Sequence, residues 1–570
     1  MLMTQKKYID YLNDLQSLLK SGNISEEQIT TLQINPLKDT IAETEMLVPI
    51  VGAFSSGKSS LLNSFLGKEY LPVGITPETS LATELRYVAD EQHQRIEAVK
   101  SENLFERYEI DQIKEVSKNA SLYKYMRLFL HNNRLKEIKP LILVDMPGFH
   151  SPLDIHNKAI LEYLNRGVHY IMLISVEEGT ITRSMARKLQ DIMSFKRDIS
   201  FFLSKANLRS TEEVNSVKEQ LVEDIEDLLG ITKDVIPIDD NGGESLNKIL
   251  QTIDPEVIFT SIFKDDVKDR FYAAIDLINT IIAGFKHDKD ENEAAIKNLS
   301  RSLEAIIQQR DRLITEVKDK YSDVNVNDIA EQIGQDLTSS IDELVLAAMN
   351  GGTASLQAVL SDIVRSSLIR HVHTFLQDAG QNIVDGFAYE LKNISMENVG
   401  NFALPESSIN KISEHVKSLL FKVNNVFSNK MREGSGKTVY KVITTILGLT
   451  TNIVSPIMEM VIIFLPDIMS SFFQERKRKS LESNIRTQIL TFIIPDIKRK
   501  IRAELPKSLQ EEVEKMIMSI SNEFEAQIEE KKSTLESVQN EYKTKIKDIQ
   551  QALTQYNNLL EDVKKLLKEI

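Results

Sequence analysis

Apolar positions along this chain fall into two regimes. Between Met46 and about Thr252, short apolar runs alternate with helix-periodic stretches; outside that window nearly everything follows a 3–4 spacing. The runs at 46–51, 141–145, 170–176, 200–204 and 235–239 have the length of buried strands. Helical patterns separate them, which predicts an α/β unit with a largely parallel sheet. Ahead of it, Tyr8, Leu12, Leu15 and Leu19 lie on one helix face, Gly22 stops that helix, and Ser25 with Gln28 forms a capping box for the next. After it, Asp254-Pro255 reads as an N-cap and first-turn pair. The pattern then continues through Ile296, Leu299, Leu303, Ile306, Leu313 and Val317 toward Tyr321, with Gly284 as the only potential break.

Beyond Pro506 neither Gly nor Pro occurs, and apolar positions recur from Val513 to Leu567. As one continuous helix this segment would reach on the order of 90 Å. No small domain needs that length, so these helices are expected to bundle within the chain as an extended neck and trunk, rather than as a coiled coil between chains. The expected organisation is neck helices at 1–44, the α/β domain at 45–252, neck and trunk helices at 253–335, a trunk at 336–505, and a long helix at 506–570 that returns to the neck.

One region breaks the amphipathic pattern. The seventeen residues from Val442 to Met458 are uncharged, and after Glu459 the apolar character continues to Phe473, followed by the basic stretch Glu475-Arg-Lys-Arg-Lys479. A membrane-spanning helix wants about 20 apolar residues, and this run is interrupted by Thr444, Thr445, Thr450, Thr451, Asn452 and Pro456. It reads as a hairpin of two short helices with a basic flank suited to anionic head groups. Residues 439–473 are therefore either a lipid-inserting tip or the core of the trunk.

The chemistry concentrates where the first strand ends. Gly52-Ala-Phe-Ser-Ser-Gly57-Lys58-Ser59 has the spacing of a P-loop between a strand and a helix. Gly52 and Gly57 let the backbone fold around a polyphosphate, with Ser55 and Ser56 between them and Ser60 just beyond. Lys58 supplies a point charge for the β- and γ-phosphates, Ser59 a hydroxyl for Mg²⁺, and the helix N-terminus favours the anion. Downstream, Asp145-Met-Pro-Gly148 ends a buried strand. Asp145 is expected to hold the Mg²⁺ shell through water, and the Gly148 N–H to contact the γ-phosphate. The polar loop between these motifs carries Thr79, the choice for a Mg²⁺-binding threonine, with Thr76 second. Ser55, Lys58 and Thr79 are the candidate catalytic residues.

With these motifs on a chain whose remainder is helical, the sequence resembles the dynamin superfamily, specifically the bacterial dynamin-like proteins. The resemblance rests on Gly57-Lys58-Ser59-Ser60, on Leu71-Pro-Val-Gly74 preceding Thr79, on Asp145-Met-Pro147-Gly148, and on the helical bulk. It implies an α/β P-loop GTPase domain joined to an extended all-α helical-bundle neck and trunk, with GTP as substrate, GDP as product and Mg²⁺ as cofactor. It further implies a G domain that dimerises across the nucleotide and a stalk that acts on membranes, in remodelling, vesicle formation or membrane-linked secretion. Expected partners are a second copy through the G domain, lipid through 439–473, and a possible second dynamin-like protein.

Two departures from the family pattern matter. The base-reading motif Thr/Asn-Lys-x-Asp is here Ser204-Lys205-Ala206-Asn207. The Asn207 amide oxygen can accept a hydrogen bond, but its NH₂ cannot, and charge assistance is lost. Asp239 and Asp240, after the last strand, are the next candidates to read the base. Phe54 stands where dynamins place a catalytic glutamine, so hydrolysis is expected to be slow, partner-dependent, or organised by backbone and water. Thr232-Lys233-Asp234 and Gly434-Ser-Gly-Lys437-Thr438 are decoys, the first out of register and the second without a leading glycine or strand.

Composition narrows the classes. The 570 residues suffice for two to four domains. With no cysteine, thiol catalysis and disulfides are excluded. Lys and Arg number 69 against 84 Asp and Glu, a net charge of −15 that argues against nucleic acid as a partner. The N-terminal stretch lacks the apolar core of a signal peptide, and the expected location is cytoplasmic with peripheral attachment to a membrane. His371 and His373 point to different helix faces and make no ligand pair. Two rivals remain: a nucleotide-binding scaffold with weak hydrolysis, supported by Asn207 and Phe54, and a P-loop ATPase of another class.

Overall fold

The computed structural model describes residues 2–53, 55–73, 81–101, 104–148, 163, 167–194, 198–239, 242–287, 289–320, 324–397, 406–421, 445–474, 482–544 and 549–570. Helix α1, Met3–Ser21, precedes the sheet, and its buried stripe contains the predicted Tyr8, Leu12, Leu15 and Leu19 together with Gln5 and Tyr11. The Ser25–Gln28 capping box forms as expected at the start of the helix Glu26–Thr31.

Nine strands then build one sheet in the order β4-β3-β5-β2-β6-β1-β7-β8-β9. They are β1 Met46–Gly52, β2 Thr83–Tyr87, β3 Arg95–Ser101, β4 Leu104–Tyr108, β5 Tyr125–Leu130, β6 Leu141–Asp145, β7 His169–Ser175, β8 Asp198–Ser204 and β9 Val235–Pro237. Around β1 the sheet is parallel: β1 pairs with β6 and β7, and β7, β8 and β9 continue in the same sense. β1, β6 and β7 are buried along their whole length, because helices cover both faces, and this is why they read as continuous apolar runs. The other half is mixed: β2 lies antiparallel to β6, and β3 is antiparallel to both β4 and β5. Sequence patterning did not reveal β2 to β5.

Helix α2, Lys58–Leu66, follows β1, and α3, Arg183–Ser194, follows β7. After the sheet, α4 spans Pro255–Lys286, with Asp254 accepting from the Glu256 N–H as its N-cap. The helical pattern does not break at Gly284. It breaks at His287, and α5, Lys289–Lys320, starts beyond it. Gly284 is a close-approach residue instead: a Cβ there would meet Val538 Cγ1 at 2.9 Å, so its smallness sets how tightly α4 packs.

The trunk contains α6 Ile341–Asn350, α7 Gly352–Glu397, α8 Glu406–Leu420, α9 Ile446–Gln474 and α10 Ile494–Thr544. The predicted two-helix hairpin is not found: α9 is a single helix with Pro456 and Pro466 inside it. Proline costs a helix one hydrogen bond and a steric clash. Here that cost is offset by burying Leu449, Ile453, Val454, Ile457, Met458, Val461 and Leu465 against the neighbouring α7 and α10. Residues 439–444 and the basic stretch 475–479 lie outside the described residues. By length and composition Ile446–Ile468 could cross a membrane, yet 61% of its most apolar window is buried within the protein.

Helix α10 also differs from expectation, since it runs straight through Pro506 and begins twelve residues earlier. A five-residue π-turn, Ile489–Ile493, leads into it. The C-terminal segment is two described helices, α10 and α11 (Ile549–Lys568), of which α11 packs on α1 and α4 beside the sheet domain.

Candidate nucleotide site

The site forms where β1, β6, β7 and β8 end, on the carboxyl side of the parallel strands, where α/β sheets place ligands. β1 delivers the loop 52–57. A Cβ on Gly52 would lie 2.3 Å from the Leu173 carbonyl oxygen on β7, so only glycine lets the loop leave the sheet there. Gly57 sits at φ 87°, a left-handed conformation, and precedes the first residue of α2. Between them the loop is braced from inside. Ser56 Oγ donates to the Ala53 carbonyl at 2.9 Å, and Ser204 Oγ, at the end of β8, donates to the Ser56 carbonyl at 2.7 Å. Ser55 and Ser60 are exposed.

Lys58 is buried, and its ammonium donates to the Ala53 carbonyl at 2.7 Å and the Gly52 carbonyl at 3.3 Å. Burial pulls its pKa down to about 8, against the pull of Asp145 and Glu178. A lysine held on carbonyl dipoles beside carboxylates is poised to trade these for phosphate oxygens. Next to it, Ser59 Oγ donates to Asp145 Oδ2 at 2.7 Å. A hydroxyl and a carboxylate in contact at a polyphosphate loop are the hard oxygen donors that suit Mg²⁺. Gly148 is buried just past Asp145.

At the base end, Lys205 adopts φ 58° and its ammonium pairs with Glu177 at 2.5 Å. Asn207 follows on a short 3₁₀ turn and is exposed. Asp239 is exposed in the loop after β9, and Asp240 lies outside the described residues. So do Thr79, Thr76 and Phe54. The structure thus brings Gly52, Ser56, Gly57, Lys58, Ser59, Asp145 and Gly148 to one corner, with Lys205 and Asn207 on the adjoining strand end. The Thr232–Asp234 decoy is out of play: Lys233 pairs with Asp198 at 2.6 Å and Asp234 with Lys218 at 2.8 Å. The Gly434–Thr438 decoy lies outside the described residues.

Glu178 is a residue of this corner that the sequence motifs do not single out. Its carboxyl is pushed up by burial, and Lys58 pulls against that shift, which places the acid in the electrostatic field of the P-loop lysine. Its sequence signal was weak, because two adjacent glutamates before a glycine look like any solvated turn. No group of acidic, histidine or cysteine side chains suited to a metal ion occurs among the described residues. His371 pairs with Asp336 at 3.0 Å, and His373 contacts Thr450 Oγ1 at 3.2 Å.

Residues 48–206 match the model of the dynamin family. Dynamin-like protein 2 of Campylobacter jejuni is 23% identical over 347 residues, 58% of this chain and 54% of that protein. A probable chloroplastic transmembrane GTPase, FZO-like, of Arabidopsis thaliana is 25% identical over 196 residues, 33% of this chain and 19% of that protein. The chain thus spans about half the length of the Campylobacter relative. Among solved structures, one described as an oligomerised bacterial dynamin pair for long-range sensing and tethering of membranes aligns over 98% of this chain and 99% of its own, at 15% identity and TM-score 0.31. The family match runs from β1 through the P-loop and the Asp145 strand to the Ser204-Lys205-Ala206 end of β8, so it is this stretch of the chain, residues 48–206, that is similar to the dynamin family.

Proposed function

We propose that the chain binds GTP with Mg²⁺ at this corner, hydrolyses it, self-associates through its G domain, and couples the cycle to a helical trunk working peripherally on a membrane. The observation that carries the reading is the meeting of Lys58, Ser59 and Asp145 at the ends of β1 and β6. Ser59 would hold the cation directly and Asp145 through water, with Thr79 the third candidate. The chemistry that Mg²⁺ would supply there is neutralisation of the phosphate charge. The loop amides from Ser55 to Ser60 would receive the phosphates, Lys58 would neutralise them, and the Gly148 N–H would report the γ-phosphate. Ser55, Lys58 and Thr79 are the residues proposed for catalysis, while Lys205 and Asn207 would face the base.

With Phe54 in place of a water-orienting glutamine, slow or partner-stimulated turnover is the consistent expectation. A second reading, a nucleotide-binding scaffold that hydrolyses poorly, is favoured by one observation: the base-reading position carries an exposed amide, Asn207. On the membrane side, α9 is mostly buried, but Ile463 is 75% exposed. That position supports a local lipid contact rather than insertion of the whole 439–473 region.

The test is GTP turnover with and without liposomes, using Lys58→Ala as control. Lys58→Ala should abolish triphosphate binding with unchanged helical circular dichroism. Wild-type affinity in that variant would discard the site, and tight binding without turnover under any condition would select the scaffold.

A further inference from the structure

Helix α3 leaves the nucleotide domain with three charged side chains on the face turned to the trunk, and all three end in ion pairs there. Arg187 makes two hydrogen bonds to Glu343 of α6, at 3.0 and 2.8 Å, and one to Asp362 of α7 at 3.2 Å. Lys188 lies 3.2 Å from Asp362. Asp191 accepts from Arg365 of α7 at 3.2 and 3.3 Å and from Ser366 Oγ at 2.7 Å. Arg365 also reaches Asp362, 2.8 Å away. Arg365 is fully buried, and Lys188, Asp191 and Asp362 are each 4% exposed or less. The α3 side carries one net positive charge and the trunk side one net negative charge, so the two faces complement each other and the cluster as a whole is neutral.

A buried network of this kind is a poor way to weld two bodies permanently. Its desolvation cost cancels much of its attraction, and apolar side chains of the same volume hold as well or better. It is a good way to build a joint that opens. An apolar interface exposes only adhesive surface when it parts, whereas these six charged side chains regain their hydration and offset part of the cost of parting the apolar residues beside them, which join the two bodies in one continuous core. Position supplies the connection to the nucleotide. The segment between β7 and α3 is seven residues, 176–182. At its start Glu177 holds Lys205 and Glu178 faces the field of Lys58. At its end Thr180 Oγ1 and the Ile181 N–H both donate to Asp224.

We propose that Arg187, Lys188 and Asp191 of α3 with Glu343, Asp362 and Arg365 of the trunk form a releasable lock that holds the nucleotide domain against the trunk, keyed through the 176–182 segment by what Lys58 and Lys205 bind. The key rests on the nucleotide-site reading above; the lock does not.

The experiment measures the radius of gyration of the full chain by X-ray scattering. Arg365→Met leaves Asp191 and Asp362 short of a cation, so without nucleotide it should expand relative to wild type, with circular dichroism unchanged. Asp191→Asn, which removes the charge from the other side, should do the same and serves if Arg365→Met does not fold. Because the chain has no cysteine, Asp191→Cys with Ser366→Cys introduces the only two thiols. Added to Arg365→Met, that pair should stay compact when oxidised and expand when reduced. In the wild type, GTP should produce the expansion that GDP does not. Folded Arg365→Met and Asp191→Asn variants as compact as wild type would overturn the lock. Expansion in the variants together with no GTP binding by wild type would uphold the lock and remove the nucleotide key.

Discussion

Ser59 and Asp145 hold each other: the serine hydroxyl on the first turn of α2 donates to the carboxylate at the end of β6 across 2.7 Å. Residues 86 apart in sequence are thereby aligned, and a Mg²⁺ ion bound as proposed would meet a formed pair of oxygens. Ser59→Ala should weaken Mg²⁺-dependent triphosphate binding by about 1–3 kcal/mol, roughly five- to a hundred-and-fiftyfold, the scale of a lost hydrogen bond or ligand beside a charged group. Calorimetric titration in Mg²⁺ and in EDTA checks this. If wild type and Ser59→Ala respond identically to the chelator, Ser59 is no ligand.

The base end predicts loose selectivity. Asn207 offers one amide oxygen where the family pattern has a carboxylate able to accept two hydrogen bonds from guanine, and charged acceptors are the stronger kind. Asn207→Asp should tighten GTP relative to ATP and XTP by about 1–3 kcal/mol. Competition among the three nucleotides decides it. A wild type that already prefers GTP by orders of magnitude, unmoved by the substitution, would hand base reading to another group, with Asp239 examined first.

Helix α9 contains its own control. Ile462 is 6% exposed and Ile463 is 75% exposed, one residue apart on the same helix. Ile462→Ser should lower stability by about 2–5 kcal/mol, since it empties a core position. Ile463→Ser should leave the melting temperature unchanged and reduce liposome co-sedimentation. Undiminished liposome binding by Ile463→Ser would remove α9 as the lipid contact.

A half-buried triad links three helices to pH. His415 on α8 sits 3.5 Å from Asp269 on α4 and 3.4 Å from Glu523 on α10. Burial alone would lower its pKa, but hydrogen bonds to the two carboxylates outweigh it and push the imidazole up to about 9. A raised pKa means the folded state favours the protonated form. The contribution is complete below about pH 6.5 and is lost as pH rises through about 9, on the order of 3 kcal/mol over that window. Thermal melts from pH 6 to 10 should show the decline. His415→Gln should flatten it and lower stability at neutral pH, where it leaves the carboxylates without their cation. An unchanged slope would mean that another group titrates.

The parallel half of the sheet was legible because β1, β6 and β7 are buried on both faces and so are uniformly apolar. The mixed half was not, for two physical reasons. β4 is an edge strand with no buried side chain, and the β2 strand interior holds charges that sequence patterning assigns to solvent. Glu84 is fully buried on β2 because Arg86 donates to it at 2.7 and 2.9 Å and Tyr163 at 3.0 Å. The α3 cluster was hidden in the same way. Its charges look like a solvated helix face until partners 156 to 175 residues away neutralise them. In the P-loop the residue types are dictated locally by backbone geometry and phosphate chemistry, and there the spacing alone was enough.

The two outermost helices lean on one another: Tyr11 OH donates to the Glu569 carbonyl at 2.7 Å, across 558 residues of chain, and a Cβ on Gly22 would run into Leu559. A ribosome adding about 5–20 residues per second needs on the order of half a minute to two minutes to cover that distance. Throughout that interval part of the apolar stripe of α1 has no permanent cover, since α11 has not yet been made. The newborn chain therefore carries an adhesive α1 across the whole of that interval, and chaperone demand should track the arrival of α11 rather than completion of the sheet.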